Sequence, residues 1–162
     1  MVGDKAVLIS IKPEWCGWIF DEEKDTEVRK NTPDLQCPFK VYIYCTKTGS
    51  KAMLRDMYGD GEARKMAGRV CAEFICDGFT CIQTSEEDDG IHIGNTAFLR
   101  TCLHDSELVD YLGKNNVGWG WHISKLKVYD EPRELRIFNY YNRVERVIKP
   151  PQSWCYVEDL AW

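Results

Sequence analysis

Lys24-Asp25-Thr26-Glu27-Val28-Arg29, followed after a proline-bearing loop by Lys40-Val41-Tyr42-Ile43-Tyr44-Cys45-Thr46, decides how the rest of the chain is read. The second stretch is rich in valine, isoleucine and tyrosine and is the clearest strand in the protein. The first alternates: Thr26 and Val28 fall on one side of an extended segment, Glu27 and Arg29 on the other. Lys24 sits just before it, at a helix–strand turn. If the Glu27–Arg29 face turns into an enclosed hollow, an ammonium, a carboxylate and a guanidinium converge there. Buried charges must be paired or neutralised, so such a hollow would be built to grip a polar ligand. The alternative is a solvent-facing pair worth under about 1 kcal/mol.

Working outward, residues 6–11 form a short apolar run that reads as a buried strand. Pro13 suits the first turn of a helix, which places Trp15, Trp18 and Ile19 on one face, with Trp18 as core filler. The acidic triplet 21–23 ends that helix. Residues 31–38 are a loop, and residues 48–66 read as a long connection with one helical turn. Residues 69–76 alternate, and Asp77-Gly78 signals a hairpin into residues 79–83. The acidic segment 85–90 reads as a surface loop, and residues 97–102 and 106–112 as two short helices, the second closed by Gly113. Residues 115–120 read as a turn and 132–138 as a turn or short helix. Residues 121–129, 143–148 and 154–158 complete about seven strands. The expected fold class is mostly β with flanking helices (α+β), a small closed or half-closed β-barrel with helices on its rim.

At 162 residues, 44% hydrophobic and 29% charged, the chain fits one globular domain, residues 1–162 with a core at about 6–158. It has no run near the roughly 20 apolar residues a membrane span needs. The apolar stretch after the N-terminus is too short for a secretory signal, so a cytoplasmic location is expected. The formal charge of −5 argues against nonspecific polyanion binding by overall charge. Residues 120–150 nonetheless carry seven basic side chains against four acidic ones, a patch that could engage phosphate.

Eight cysteines invite a metal or disulfide reading. No Cys-x-x-Cys pair occurs, Cys71, Cys76 and Cys81 lie five apart, and the three histidines are scattered. No metal is expected, and the thiols read as small core hydrophobes. The chain lacks a phosphate-cradling glycine loop, His-Glu-x-x-His and Gly-x-Ser-x-Gly, so no cofactor is expected. Aromatic residues are the second constellation. Trp15, Trp18, Trp119, Trp121, Trp154 and Trp162 accompany Tyr42, Tyr44, Tyr140, Tyr141 and Tyr156. Trp121-His122 and Trp154-Cys155-Tyr156 begin strands, where a barrel mouth would lie, and ring faces beside a cation suit base stacking.

Leu8-Ile9-Ser10-Ile11-Lys12-Pro13-Glu14-Trp15-Cys16, Lys24 with Glu27-Val28-Arg29-Lys30, the strand from Lys40, Gly68-Arg69-Val70, the segment from Trp121 to Tyr129 and Pro150-Pro151-Gln152-Ser153-Trp154-Cys155-Tyr156-Val157 together resemble the ASCH family of the PUA-like superfamily. The likeness is strongest to small phage and prophage members. It implies a small β-barrel with a cleft between the first helix, the charged strand and the barrel wall. Related domains bind RNA or modified bases in comparable clefts. One ASCH branch is an amidohydrolase that deacetylates N4-acetylcytidine with a lysine, a threonine three residues on and a distant glutamate. The lysine falls on Lys24, but Glu27 stands where that branch has threonine.

The resemblance therefore implies first an RNA-, nucleotide- or modified-base-binding module. Its candidate ligand-binding residues are Lys12, Trp15, Lys24, Glu27, Arg29, Tyr44, Trp121 and Trp154. It implies second a hydrolase on modified nucleosides or RNA, with Lys24 and Glu27 as catalytic candidates. A third implied reading is a phage accessory protein that sequesters a host protein or nucleotide.

Overall fold

The computed structural model describes residues 3–87, 90–94 and 99–161. Among these residues seven strands and four helices follow in the order β1 Lys5–Ile11, α1 Pro13–Phe20, β2 Thr26–Arg29, β3 Phe39–Cys45, α2 Ala52–Tyr58, α3 Asp60–Met66, β4 Arg69–Glu87, β5 Gly90–Gly94, α4 Asp105–Leu112, β6 Val117–Arg133 and β7 Trp154–Glu158. A 3-10 turn, Leu135–Ile137, lies between the last two strands. The fold is α+β and mostly β. The strands run β2-β6-β4-β3-β1-β7 across one sheet, with β5 paired to β4. Among the described residues only β1 and β3 pair in parallel; the other ladders are antiparallel.

The apolar run of β1 serves two cores at once, which is why it does not alternate. Val7, Ile9 and Ile11 face a large core with Cys16, Ile19, Val41, Ile43, Leu54 and Met66 under the helices. Ala6 and Leu8 face a second core with Tyr42, Tyr44, Phe138 and Val157. A third cluster sets Val28 against Ile82, Leu108 and Leu112, docking α4 beside β2.

Of the closed or half-closed barrel that was expected, closure is not seen: β2 and β7 are the two ends of the sheet and, among the described residues, do not pair. Side chains bridge the seam instead. Asn31, just beyond β2, accepts Trp154 Nε1 of β7 on Oδ1 at 3.0 Å, while its carbonyl accepts Trp121 Nε1 from the neighbouring β6 at 3.2 Å. The Asp34 N–H donates to the Tyr156 hydroxyl at 2.7 Å. Register shifts in β4 against β6, at 70/72, 73/75 and 76/79, supply the curl that brings the two ends together.

Several other expectations are corrected. Asp77-Gly78 is no hairpin but an irregularity inside the 19-residue β4, and the hairpin lies between β4 and β5. The acidic segment is strand up to Glu87, while Asp88 and Asp89 lie outside the described residues. The 48–66 connection holds two helices, which meet at Gly59 with φ +87°. Residues 99–102 are not helical, and residues 97–98 lie outside the described residues, as does Trp162. Residues 143–148 are irregular, with one isolated bridge from Arg146 to Asn139. Residues 117–120, expected as part of a turn, begin β6. Trp18, expected in the core, is 39% exposed. All eight cysteines are free, and Cys16, Cys45, Cys71 and Cys76 are buried.

Candidate functional site

Lys24 is placed by the end of α1. The N–H groups of Glu23 and Lys24 both donate to the Trp18 carbonyl at 3.0 Å, through a left-handed Glu22 (φ 61°). From that turn the Lys24 ammonium reaches the Thr101 carbonyl, on the segment leading to α4. Asp25 ties the same two segments together, accepting from Arg100 Nε at 3.0 Å. Burial pushes the Asp25 carboxyl up, but hydrogen bonds from Thr26 and Arg100 outweigh this and hold it below the ordinary aspartate value.

Glu27 and Arg29 project from the same face of β2, toward the seam, as the alternation predicts. Arg29 Nε and Nη2 donate to Glu27 Oε1 at 3.2 and 2.9 Å. Arg29 Nη2 also donates to the Ser10 carbonyl at 2.7 Å, and Nη1 donates to Ser153 Oγ at 3.1 Å. The guanidinium thus links β2, β1 and the approach to β7. Lys24 Nζ lies 3.5 Å from Glu27 Oε2. The three side chains are only 1%, 9% and 10% exposed for Lys24, Glu27 and Arg29. The charged face points inward.

This trio forms one wall of a cavity of about 350 Å³ at the seam. Of the expected ligand-binding residues, Lys12, Trp15, Lys24, Glu27 and Arg29 line it. Three others are elsewhere. Tyr44 is buried in the second core. Trp121 is fully buried, and Trp154 packs on it at a ring-centroid distance of 6.0 Å. Both indoles spend their N–H on Asn31, so they brace the seam from behind.

Sequence reasoning missed Ser10, Thr46, Glu107, Tyr111 and Gln152, which also line the cavity. Gln152 lies inside the Pro-Pro-Gln-Ser motif, a signal that was present. Tyr111 comes from α4, whose buried residues Leu108 and Leu112 turn it toward the cavity rim. Burial pushes the Tyr111 phenol up; Arg29 pulls the other way and Glu27 adds to the rise. At neutral pH it remains a hydrogen-bond donor. Two cation–π contacts flank the opening: Lys24 Nζ lies 5.6 Å from the Trp15 ring centroid, and Lys30 Nζ 5.1 Å from that of Tyr111. Among the described residues no group of three or more His, Cys, Asp or Glu is placed to hold a metal ion.

In sheet order and helices the fold is similar to that of solved ASCH-domain structures. Among the matching solved structures are three of the ASCH protein of Zymomonas mobilis. A tyrosine-to-phenylalanine variant has a TM-score of 0.61 at 14% identity, covering 94% of this chain and 90% of that one. A serine-to-alanine variant has 0.61 at 15% identity over 96% and 90%. A third structure has 0.55 at 16% identity over 93% and 86%. At these identities the likeness is one of fold. No family model and no curated protein matches the chain. No helix among the described residues is long and apolar enough to cross a membrane.

Proposed function

We propose that the chain binds RNA, or a small nucleotide or modified base, in the seam cavity. The observation that carries this reading is the convergence of buried Lys24, Glu27 and Arg29 on a cavity that the Trp15 indole and the Tyr111 phenol also line. A volume of about 350 Å³ falls at the small end of ligand sites and suits one nucleotide unit. Arginine recognises phosphate or a base edge through paired donors, and an indole offers a sequence-tolerant stacking face.

The test is calorimetric titration with nucleotides, modified nucleosides and short oligoribonucleotides, for the wild type, Lys24→Ala, Arg29→Ala and the uncharged change Trp15→Ala. Binding in the wild type that falls in all three variants is expected. Variants that remain folded by circular dichroism and bind as well as the wild type overturn the reading. A tight ligand at about 100 times its Kd adds roughly 2.7 kcal/mol of stability, so a thermal-shift screen finds it.

One observation favours a second reading, hydrolysis of a modified nucleoside or of RNA. Lys24 Nζ and Glu27 Oε2 lie 3.5 Å apart on the cavity wall, as an oxyanion-stabilising cation and a base would. Incubation with N4-acetylcytidine and with labelled RNA decides it, with Lys24→Ala and Glu27→Gln as controls. No turnover at high protein concentration removes it. Sequestration of a host protein or nucleotide rests on the family resemblance alone, and the same thermal-shift screen addresses its nucleotide form.

A further inference from the structure

The hydrogen-bonding capacity of the cavity floor can be counted atom by atom. Arg29 carries five N–H groups. One on Nε goes to Glu27, two on Nη2 go to Glu27 and Ser10, and one on Nη1 goes to Ser153. One Nη1 hydrogen is left. The Lys24 ammonium has three hydrogens. One goes to the Thr101 carbonyl, one faces Glu27 Oε2, and one is left. Glu27 Oε1 is filled by two Arg29 donors, and Oε2 faces Lys24. The spare capacity of the floor is therefore mostly donor.

Charge points the same way. Among the described residues, the ion pairs of Lys24 and Arg29 are both with Glu27. Two cations share one carboxylate, and the cluster keeps a net positive charge with its side chains at most 10% exposed. Glu107, also on the cavity, accepts the His104 N–H on Oε2 at 2.7 Å and is held at the start of α4. Lys12 stands exposed on the cavity lining and offsets it. A charge this far from water is costly without a counterion, and a carboxylate or phosphate supplies both the counterion and the acceptor oxygens.

We propose that the Lys24–Arg29 floor is an oxyanion site that takes the phosphate of a nucleotide, with the base held against the Trp15 and Tyr111 rings. This rests on the nucleotide reading above and deepens it: the phosphate, not the base edge, occupies the charged floor. Glu27 is then a positioning residue that holds the two cations at the floor and weakens their pull on the anion.

Titration in phosphate-free buffer tests this with the four nucleoside 5′-monophosphates, their nucleosides and inorganic phosphate. At least one monophosphate is expected to bind tenfold or more tightly than its nucleoside. Glu27→Gln, which removes the internal anion, is expected to tighten monophosphate binding about tenfold, and Lys24→Met to weaken it about tenfold. A nucleoside that binds as tightly as its monophosphate overturns the proposal, as does a folded Glu27→Gln protein whose phosphate affinity is unchanged or lower. If Glu27→Gln does not fold, Lys24→Met and Lys24→Arg decide: loss with methionine and recovery with arginine supports the site, and equal binding overturns it. If no nucleoside or nucleotide binds, the nucleotide reading fails by itself. Thermal protection by inorganic phosphate that Lys24→Met abolishes then keeps the oxyanion floor, and no protection removes it.

Discussion

Arg29 shows how a single residue can tie several strands together at the wall of the proposed site. It donates to β1 through Ser10, to Ser153 before β7 and to Glu27 on its own strand. Removing one member of a buried ion pair leaves an uncompensated charge, so Arg29→Ala is expected to cost about 3–5 kcal/mol of unfolding free energy, read by urea denaturation. A loss under about 1 kcal/mol would mean that water reaches Glu27 freely. A second residue-scale prediction concerns acid. The hydrogen bond between His122 Nδ1 and Asp77 Oδ1, at 2.5 Å, holds the Asp77 carboxyl below its ordinary value of 3.8. A carboxylate with a depressed folded pKa contributes stability above its unfolded pKa and loses it as pH falls through the folded one. Asp77→Asn is therefore expected to lower stability at pH 6 and to flatten its decline below about pH 4, in denaturation curves taken across that range.

At the scale of elements, β2 depends on what β6 leaves out. Gly120 pairs with Val28, and a Cβ there would stand 2.7 Å from Thr26 Cγ2, a methyl that is itself buried. Gly120→Ala forces those two strands apart and is expected to cost about 1–3 kcal/mol, with ligand affinity falling as β2 shifts. Measuring both in one variant checks the link, because stability loss at unchanged affinity would show that β2 carries its charges independently of β6. The elements also show what could be read in advance. β1, α1, β2, β3 and β7 were legible because period-2 alternation, apolar runs and a proline at a helix start are local signals. β4 was not, because Asp77-Gly78 suits a turn, and only the longer pairing with β6 makes it an irregularity within a strand. Helices α2 and α3 were hidden because each buries few residues and Gly59 interrupts them. Glu27 and Arg29 were readable as one face from their spacing, with Lys24 at the turn just before them. Tyr111 was not, because only the folded chain brings α4 beside β2.

At the scale of the whole molecule, the seam is the soft part of the sheet. The described contacts between β2 and its far edge are side-chain hydrogen bonds, among them Trp154 to Asn31 and Arg29 to Ser153. Such contacts open at lower free energy than a continuous ladder. Asn31→Ala is therefore expected to speed amide exchange at residues 31–34 and 152–154 while leaving β3 and the middle of β4 protected. Uniform acceleration across the sheet would show that the seam opens only with global unfolding. Ligand bound in the cavity is expected to reverse the local effect.

The pairing of β1 with β7, residues 5–9 against 154–158, also sets a timetable. During translation β1 must wait, unpaired along one edge, until residues 154–158 have left the ribosome. Closing so long a loop is slow, and contacts of this separation are made late. Ser153 and Gln152 lie just before β7, so a nascent chain has no finished pocket before synthesis has passed them.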